Sequence, residues 1–149
     1  MNLRQAVIVL GLFLLPVLPA QAAELVGIGD MCLDIKGGAA KGRQTILYPC
    51  NGQLNQDWIH NIQNDSIRSA EGYCLDVAGN GGKGSKVIAW PCHYRKNQQW
   101  NYNHEAGTIR TQDNLCLDVK GGKAVKGAEV IVWPCKQRDK NHNQRWRWR

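Results

Sequence analysis

Along most of the chain, apolar and polar residues alternate in short runs that glycine-rich segments separate. In the segment Cys32–Ile35, Leu33 and Ile35 are two residues apart, so in a strand they share one face and Asp34 lies on the other. Glycine-rich segments such as 120–123 suit tight turns. No stretch shows a convincing 3.6-residue apolar spacing, so the pattern predicts an all-β fold with Asp34 pointing outward from the core.

Three short motifs recur in the same order. The motif Cys-Leu-Asp-(Ile/Val) recurs every 42 residues, beginning at Cys32, Cys74 and Cys116. The motif (Tyr/Trp)-Pro-Cys recurs after 42 and 43 residues, ending at Cys50, Cys92 and Cys135. The motif Asn-Gln-x-Trp recurs after 42 and 46 residues, ending at Trp58, Trp100 and Trp146. One structural unit copied three times is therefore predicted within residues 23–149, with repeats at about 25–66, 67–108 and 109–149.

The last strand of the first two units is predicted at 66–68 and 108–110, while the third unit ends without one. Leu25 and Val26 stand at the equivalent distance before the first half-cystine. We therefore expect the N-terminal segment to supply the missing strand and to close a barrel with few free edges. Equivalent apolar pairs should point inward in every repeat: Leu33/Ile35, Leu75/Val77 and Leu117/Val119.

The first 22 residues have the organisation of a secretory signal peptide. Arg4 precedes an apolar run over residues 6–18, and the small residues of Ala20-Gln21-Ala22 follow. The alternative is a membrane anchor, but this run is short for a bilayer core of roughly 30 Å. We expect cleavage near Ala22, a secreted or periplasmic protein, and no transmembrane segment in the mature chain.

Six cysteines in an exported chain without a Cys-x-x-Cys pair favour disulfides over a metal site. Repeat symmetry favours one bond inside each unit, namely Cys32–Cys50, Cys74–Cys92 and Cys116–Cys135. A bond that closes a loop of this length contributes about 3 kcal/mol in the chain-entropy model.

The net charge of +7 raises the question of an anionic partner. The tail Arg145-Trp146-Arg147-Trp148-Arg149 alternates like a strand, with its arginines on one face and its tryptophans on the other. It is interpreted as a final strand with a solvated face, or alternatively as a cationic strip for an anionic glycan, lipopolysaccharide or nucleic acid. Because no nucleic-acid-binding motif accompanies it, an anionic glycan ranks above DNA or RNA, and no nucleic acid is expected.

The three motifs together resemble the ricin B-type lectins over nearly all of the mature chain. The resemblance implies a β-trefoil of twelve strands with pseudo-threefold symmetry and three sugar sites. It assigns structural Gln-x-Trp roles to Gln56, Trp58, Gln98, Trp100, Gln144 and Trp146. It assigns sugar contacts to three sets: Asp34, Tyr48 and Asn55; Asp76, Trp90 and Asn97; and Asp118, Trp133 and Asn143.

In such a site the Asp accepts hydrogen bonds from sugar hydroxyls, the aromatic ring stacks on the pyranose, and the Asn adds a polar contact. Galactose binders of the family often carry a polar Gln two residues before the aromatic residue. Here Ile46, Ile88 and Ile131 stand at that place, which weakens the case for simple galactose specificity. The bland alternative gives the Asp residues a turn-forming role and the aromatic residues a packing role.

Other chemistry receives little support from the sequence. Gly79, Gly81 and Gly84 match G-x-G-x-x-G, but no following helix is visible, so a turn inside the second disulfide loop is expected. The four histidines fit no metal-ligand spacing, and we expect no cofactor, no metal and no catalysis. The rival to carbohydrate binding is a protein-interaction role, either as the targeting subunit of a secreted toxin or as an inhibitor of a hydrolase.

Overall fold

The computed structural model describes residues 21–79, 81–140 and 142–149. The predicted signal peptide, residues 1–22, lies outside this part of the chain except for its last two residues. The strands are β1 (Ala23–Val26), β2 (Cys32–Ile35), β3 (Arg43–Tyr48), β4 (Asp57–Asn61), β5 (Ser66–Ser69), β6 (Tyr73–Val77), β7 (Val87–Pro91), β8 (Trp100–Asn103), β9 (Thr108–Thr111), β10 (Leu115–Val119), β11 (Val130–Pro134) and β12 (Arg147–Trp148).

Helical structure in the described ranges is limited to single 3₁₀ turns, as the missing helical periodicity predicts. They lie at Ile28–Asp30, Leu54–Gln56, Lys96–Gln98, Lys120–Gly122 and His142–Gln144. None of the helical segments in these ranges has the length and apolar character needed to cross a bilayer.

Each repeat contains one long hairpin that brings its two cysteines together. Strand β2 pairs with β3, β6 with β7, and β10 with β11. In each hairpin the first cysteine lies opposite the aromatic residue of the Pro-Cys motif, as in the pair Cys32 and Tyr48. The second cysteine follows two residues later, and the predicted bonds Cys32–Cys50, Cys74–Cys92 and Cys116–Cys135 are all present.

The remaining strands form the barrel, and the N-terminal segment closes it as predicted. Strand β4 pairs with β5 and β8 with β9, while β12 pairs with β1. Three equivalent seams join successive units around the barrel. Ala23 lies opposite Trp58 in the first seam. The Trp100 and Trp146 amides donate hydrogen bonds of 2.7 Å to the Asp65 and Gly107 carbonyls in the other two.

Three buried tryptophans of the Gln-x-Trp motifs occupy the core, one from each repeat. Each indole N–H donates to the carbonyl of the motif leucine at 2.9–3.0 Å, so each of these three buried indoles has a hydrogen-bond partner. The predicted apolar pairs of β2, β6 and β10 pack against them. The all-β architecture is therefore a β-trefoil with one disulfide in each of three related units.

The barrel departs from threefold symmetry where β1 meets the last core tryptophan. In the first two units, Trp58 and Trp100 lie opposite Ser69 and Thr111. Gly27 holds the corresponding place opposite Trp146, because the residue before it, Val26, pairs with Arg147, the residue after Trp146. A Cβ on Gly27 would lie 2.7 Å from Cζ3 of Trp146, which is too close for two carbon atoms.

Replacing Gly27 with alanine is expected to lower the free energy of unfolding by about 1–3 kcal/mol, because the core around Trp146 is already filled. The φ of Gly27 is −111°, so the effect is steric and not a matter of backbone strain. Urea denaturation followed by tryptophan fluorescence measures it. The control is Gly82→Ala, where a Cβ would meet no atom within 4 Å. Equal unfolding midpoints for the two variants would contradict this packing.

Candidate functional site

One face of each long hairpin carries an Asp, an Ile and an aromatic residue. In the first hairpin Asp34 lies opposite Ile46, and Tyr48 is two residues further along the same strand, so the three side chains share a face. The same register recurs in the other hairpins, with Asp76, Ile88 and Trp90, and with Asp118, Ile131 and Trp133. The acidic and aromatic groups that the sequence predicts for each site therefore lie on one side in all three repeats.

The three Asp residues face away from the core, but they are only 3–4% exposed, which the strand pattern alone did not predict. In the first repeat, one carboxylate oxygen of Asp34 accepts hydrogen bonds from the Asn55 and Gln56 amides, at 2.9 and 2.8 Å. The second repeat has the same arrangement around Asp76, from Asn97 and Gln98 at 3.0 and 2.8 Å.

In the third repeat, Asn143 and Gln144 donate to different oxygens of Asp118, at 2.9 and 2.7 Å. Within the described residues, the Oδ1 atoms of Asp34 and Asp76 accept no hydrogen bond from the protein, and so they are available to a ligand.

The glutamine of each Gln-x-Trp motif has a larger role than packing. Gln56 donates to the Pro49 carbonyl at 3.1 Å as well as to Asp34, and its side-chain oxygen accepts from the Asn51 amide at 2.8 Å. Two residues later, the Trp58 indole is anchored to the Leu33 carbonyl. The motif therefore ties the core and the outer carboxylate to the same short segment.

Burial raises the pKa of all three carboxyls above the ordinary Asp value of 3.8, while the Gln and Asn hydrogen bonds act in the opposite direction. Two sites contain an additional basic group. The His93 ring lies 3.5 Å from Asp76, and the Lys136 ammonium lies 3.6 Å from Asp118. Both act to lower the pKa of the neighbouring carboxyl without reversing the effect of burial.

Open grooves run along the first and third sites. The first has a volume of about 640 Å³, and Asp34, Ile46, Tyr48 and Asn55 are among its lining residues. The third has a volume of about 650 Å³ and is lined by the equivalent residues Asp118, Ile131, Trp133 and Asn143. Beside the second site, a cavity of about 270 Å³ is lined by Asn97 but not by Asp76 or Trp90.

Sequence reasoning missed a lysine above each aromatic ring. Lys41 lies 4.6 Å from the Trp90 ring centroid, Lys83 lies 4.4 Å from that of Trp133, and Lys126 lies 4.7 Å from that of Tyr48. Each lysine comes from the neighbouring repeat, so every site is shared between two units. A Lys-Gly pair recurring at the motif period was the available signal.

A second missed position directly follows the second cysteine of each repeat. It holds Asn51, His93 and Lys136 in turn. Asn51 lines the first groove, His93 approaches Asp76, and Lys136 donates to the Asn143 side chain at 2.8 Å. A neutral amide, an imidazole and an ammonium group therefore make the three sites chemically different.

The structure supports the interpretation of the arginine-rich tail as an ordinary closing strand. Arg147 and Arg149 form ion pairs of 2.6 Å with Asp30 and Glu24. Their charges are therefore partly compensated within the fold.

The remaining sequence features fit structural roles. Gly79, Gly81 and Gly84 have positive φ values and lie in the loop between β6 and β7. This agrees with the expected turn and not with a dinucleotide site. In the described ranges, one group of residues has metal-ligand types in reach of one another: Glu24 with Cys32 and Cys50. Its two sulfurs form a disulfide, so neither is a thiolate.

Comparisons with known proteins agree on the fold. A designed threefold-symmetric protein, ThreeFoil, superimposes with a TM-score of 0.76 at 25% identity, covering 85% of this chain and 96% of that one. The agglutinin from Abrus precatorius gives a TM-score of 0.74 at 25% identity, covering 91% of this chain and 51% of that one. No curated protein matches the sequence.

A third similar structure is a non-toxic homologue of type II RIPs from Momordica charantia (bitter gourd), in complex with α-methyl-D-galactoside. Its TM-score is 0.71 at 28% identity, covering 87% of this chain and 48% of that one. The chain thus spans about half the length of each of the two plant proteins. The family model of the ricin-type β-trefoil lectin domain matches residues 21–146, so the chain belongs to the ricin-type β-trefoil lectin family.

Proposed function

We propose that this protein is a non-catalytic, multivalent lectin that acts outside the cytoplasm and binds galactose-type or related sugars on glycans. The observation that supports it most is the repeated juxtaposition of a buried, amide-bonded carboxylate and an aromatic ring on one hairpin face. The predicted signal peptide motivates the secreted or periplasmic location.

The arrangement suits the chemistry of a pyranose. Adjacent sugar hydroxyls need an acceptor that is already oriented, and a carboxylate held by two amide donors provides one. The C–H face of the sugar needs a flat apolar surface, which the aromatic ring provides. Neither interaction requires a metal ion or a cofactor.

Two observations bear on which sugar is bound. The Momordica homologue, at 28% identity, was solved with a galactoside, which supports a galactose-type sugar. However, Ile46 and Ile131 line the first and third grooves without offering a hydrogen bond to a hydroxyl. We therefore expect each site to bind a monosaccharide weakly and to gain affinity from longer glycans.

Weak sites on a rigid barrel gain strength when several bind the same surface. The three hairpins radiate from one pseudo-threefold axis, so neighbouring sites can contact different branches of a glycan-rich surface. Avidity can then exceed the affinity of a single site by orders of magnitude.

A glycan array of the protein from residue 23 onward tests sugar binding, and calorimetry with the sugar selected counts the sites. We expect Trp90→Ala and Trp133→Ala each to remove one site, because each substitution removes the stacking surface of its own hairpin. The control is Tyr94→Ala, since Tyr94 is a 45% exposed aromatic residue that lines none of the three grooves described.

A silent array, or site counts that these tryptophans do not change, would contradict the proposal. Co-purification of a stoichiometric protein partner together with a silent array would favour the protein-interaction role.

Acidification is expected to weaken sugar binding before the pH falls to 3.8, the ordinary pKa of an Asp carboxyl. Burial raises the pKa of the three Asp carboxyls, so each takes up a proton at a higher pH than an exposed Asp, and its oxygens then accept fewer hydrogen bonds. His93 and Lys136 oppose this shift at Asp76 and Asp118, whereas the causes that oppose it at Asp34 are hydrogen bonds alone.

Calorimetric titrations between pH 7 and pH 4 measure the effect, and circular dichroism checks the fold. A raised pKa means that these carboxyls stabilise the folded state most at low pH and lose that contribution as the pH rises through their folded pKa. Protonation of these carboxyls therefore does not destabilise the fold. A loss of binding on acidification is expected to come from the loss of ionised acceptors. Unchanged affinity down to pH 4 would argue against ionised Asp acceptors.

A further inference from the structure

The grooves of the first and third sites have nearly the same volume, but they differ in charge. Three lysines line the third groove: Lys120, Lys123 and Lys136. A fourth lysine, Lys83, does not line the groove itself but lies above the ring of Trp133, which does. The first groove is lined by Lys36 and Lys126 alone among basic residues. Size therefore does not distinguish these two sites, whereas charge does.

The additional charges of the third site come from two positions that are neutral in the first. Lys136 takes the place of Asn51 after the second cysteine. Lys123 takes the place of Ala39, seven residues after the first cysteine. Both lysines line the groove that contains Asp118 and Asn143.

The first two sites also carry a carboxylate that the third lacks. Near the first groove, the Glu71 carboxylate accepts a 3.2 Å hydrogen bond from the Ala39 amide. Beside the second site, the equivalent Asp113 lines a cavity together with Gly81 and pairs with Lys96 at 2.5 Å.

For the third site this position is held by Gly29 of the first unit, three residues before Cys32. A Cβ on Gly29 would lie 2.4 Å from the Cβ of Ala124, beside Lys123. The methyl group of Ala124 therefore occupies the space that a side chain at this position would need.

Protein carboxylates compensate only part of the charge of the third site. Lys136 lies 3.6 Å from Asp118, and Lys120 lies 2.9 Å from Glu129. Within the described residues, Lys83 and Lys123 form no ion pair. Two ammonium groups at this groove are therefore left to pair with a ligand.

In the part of the chain that the structure describes, Lys36 and Lys126 of the first groove form no ion pair either. However, the Glu71 carboxylate near that groove opposes an anionic ligand, whereas the third site lacks this carboxylate.

We propose that the third site prefers an acidic saccharide, a pyranose that carries a carboxylate or a sulfate. This inference rests on the proposed sugar-binding function and deepens it for one site. The pyranose stacks on Trp133 and hydrogen-bonds to Asp118 and Asn143, while Lys123 and Lys83 attract its anionic substituent. The arginine tail is a weaker candidate for this recognition, because Arg147 and Arg149 pair with Asp30 and Glu24.

Single-site variants and sugars matched at C6 test the proposal. Tyr48→Ala with Trp90→Ala leaves the third site intact, and Trp90→Ala with Trp133→Ala leaves the first. The probes are the methyl glycosides of galactose and galacturonic acid, the corresponding glucose pair, and galactose 6-sulfate. Calorimetry should show that the third site binds the acidic sugar about three- to tenfold more tightly than its neutral partner.

At the first site the acidic-to-neutral affinity ratio should be smaller, because that groove has fewer lysines and the Glu71 carboxylate lies nearby. The preference of the third site should shrink as salt is raised, because the ammonium groups are exposed and screened. Comparing the uronic acid with the sulfate ester identifies which anionic group is preferred, and a preference for either supports the proposal.

Lys123→Ala combined with Lys83→Ala should bring the acidic-to-neutral affinity ratio of the third site close to one. Lys140→Ala is the control, because it removes one positive charge from an exposed turn outside the groove. Equal affinities for acidic and neutral sugars at the third site overturn this inference and leave sugar binding intact. Equally tight binding of inorganic sulfate also overturns it, whereas an array on which no saccharide binds overturns the proposed function instead.

Discussion

The buried carboxylate of each repeat is the constraint on which the rest of the structure depends. An Asp that is almost completely covered is stable only if donors surround it, and each Asp receives one Asn and one Gln amide. The Gln that provides one donor stands two residues before a core tryptophan whose indole bonds to the strand of the same Asp. Core packing and the orientation of the outer acceptor are therefore specified together.

The repeats, the disulfides and the inward-facing residues could be predicted from the sequence, because each depends on short spacings within one unit. Leu33 and Ile35 share a face for that reason, and β1 closes the barrel where Leu25 and Val26 were expected to do so. The burial of Asp34 was missed because Asn55 and Gln56 cover it from a segment about 20 residues away.

The lysines above the aromatic rings were missed for a related reason. Each contact joins two different repeats, and spacing within one repeat carries no information about it. The absence of an acidic residue at the third site was missed for the same reason. It depends on a contact between two repeats, because Gly29 of the first unit lies against Ala124 of the third. In this fold, pseudo-symmetry predicts the scaffold, and the exceptions to it distinguish the sites.

The pairing of the first strand with the last has a consequence for folding kinetics. The amides of Glu24 and Arg149 donate to each other's carbonyls at 3.0 and 2.9 Å, which joins residues 125 positions apart. Strand β1 finds this partner only after the C-terminal residues have been synthesised. Contacts of such long sequence separation slow the search for the native state, so the last closure of the barrel should be a late event. Until then the edge of β1 and the backbone at Gly107, beside β9, lack the partner that the last strand provides, and intermolecular strand pairing competes with folding.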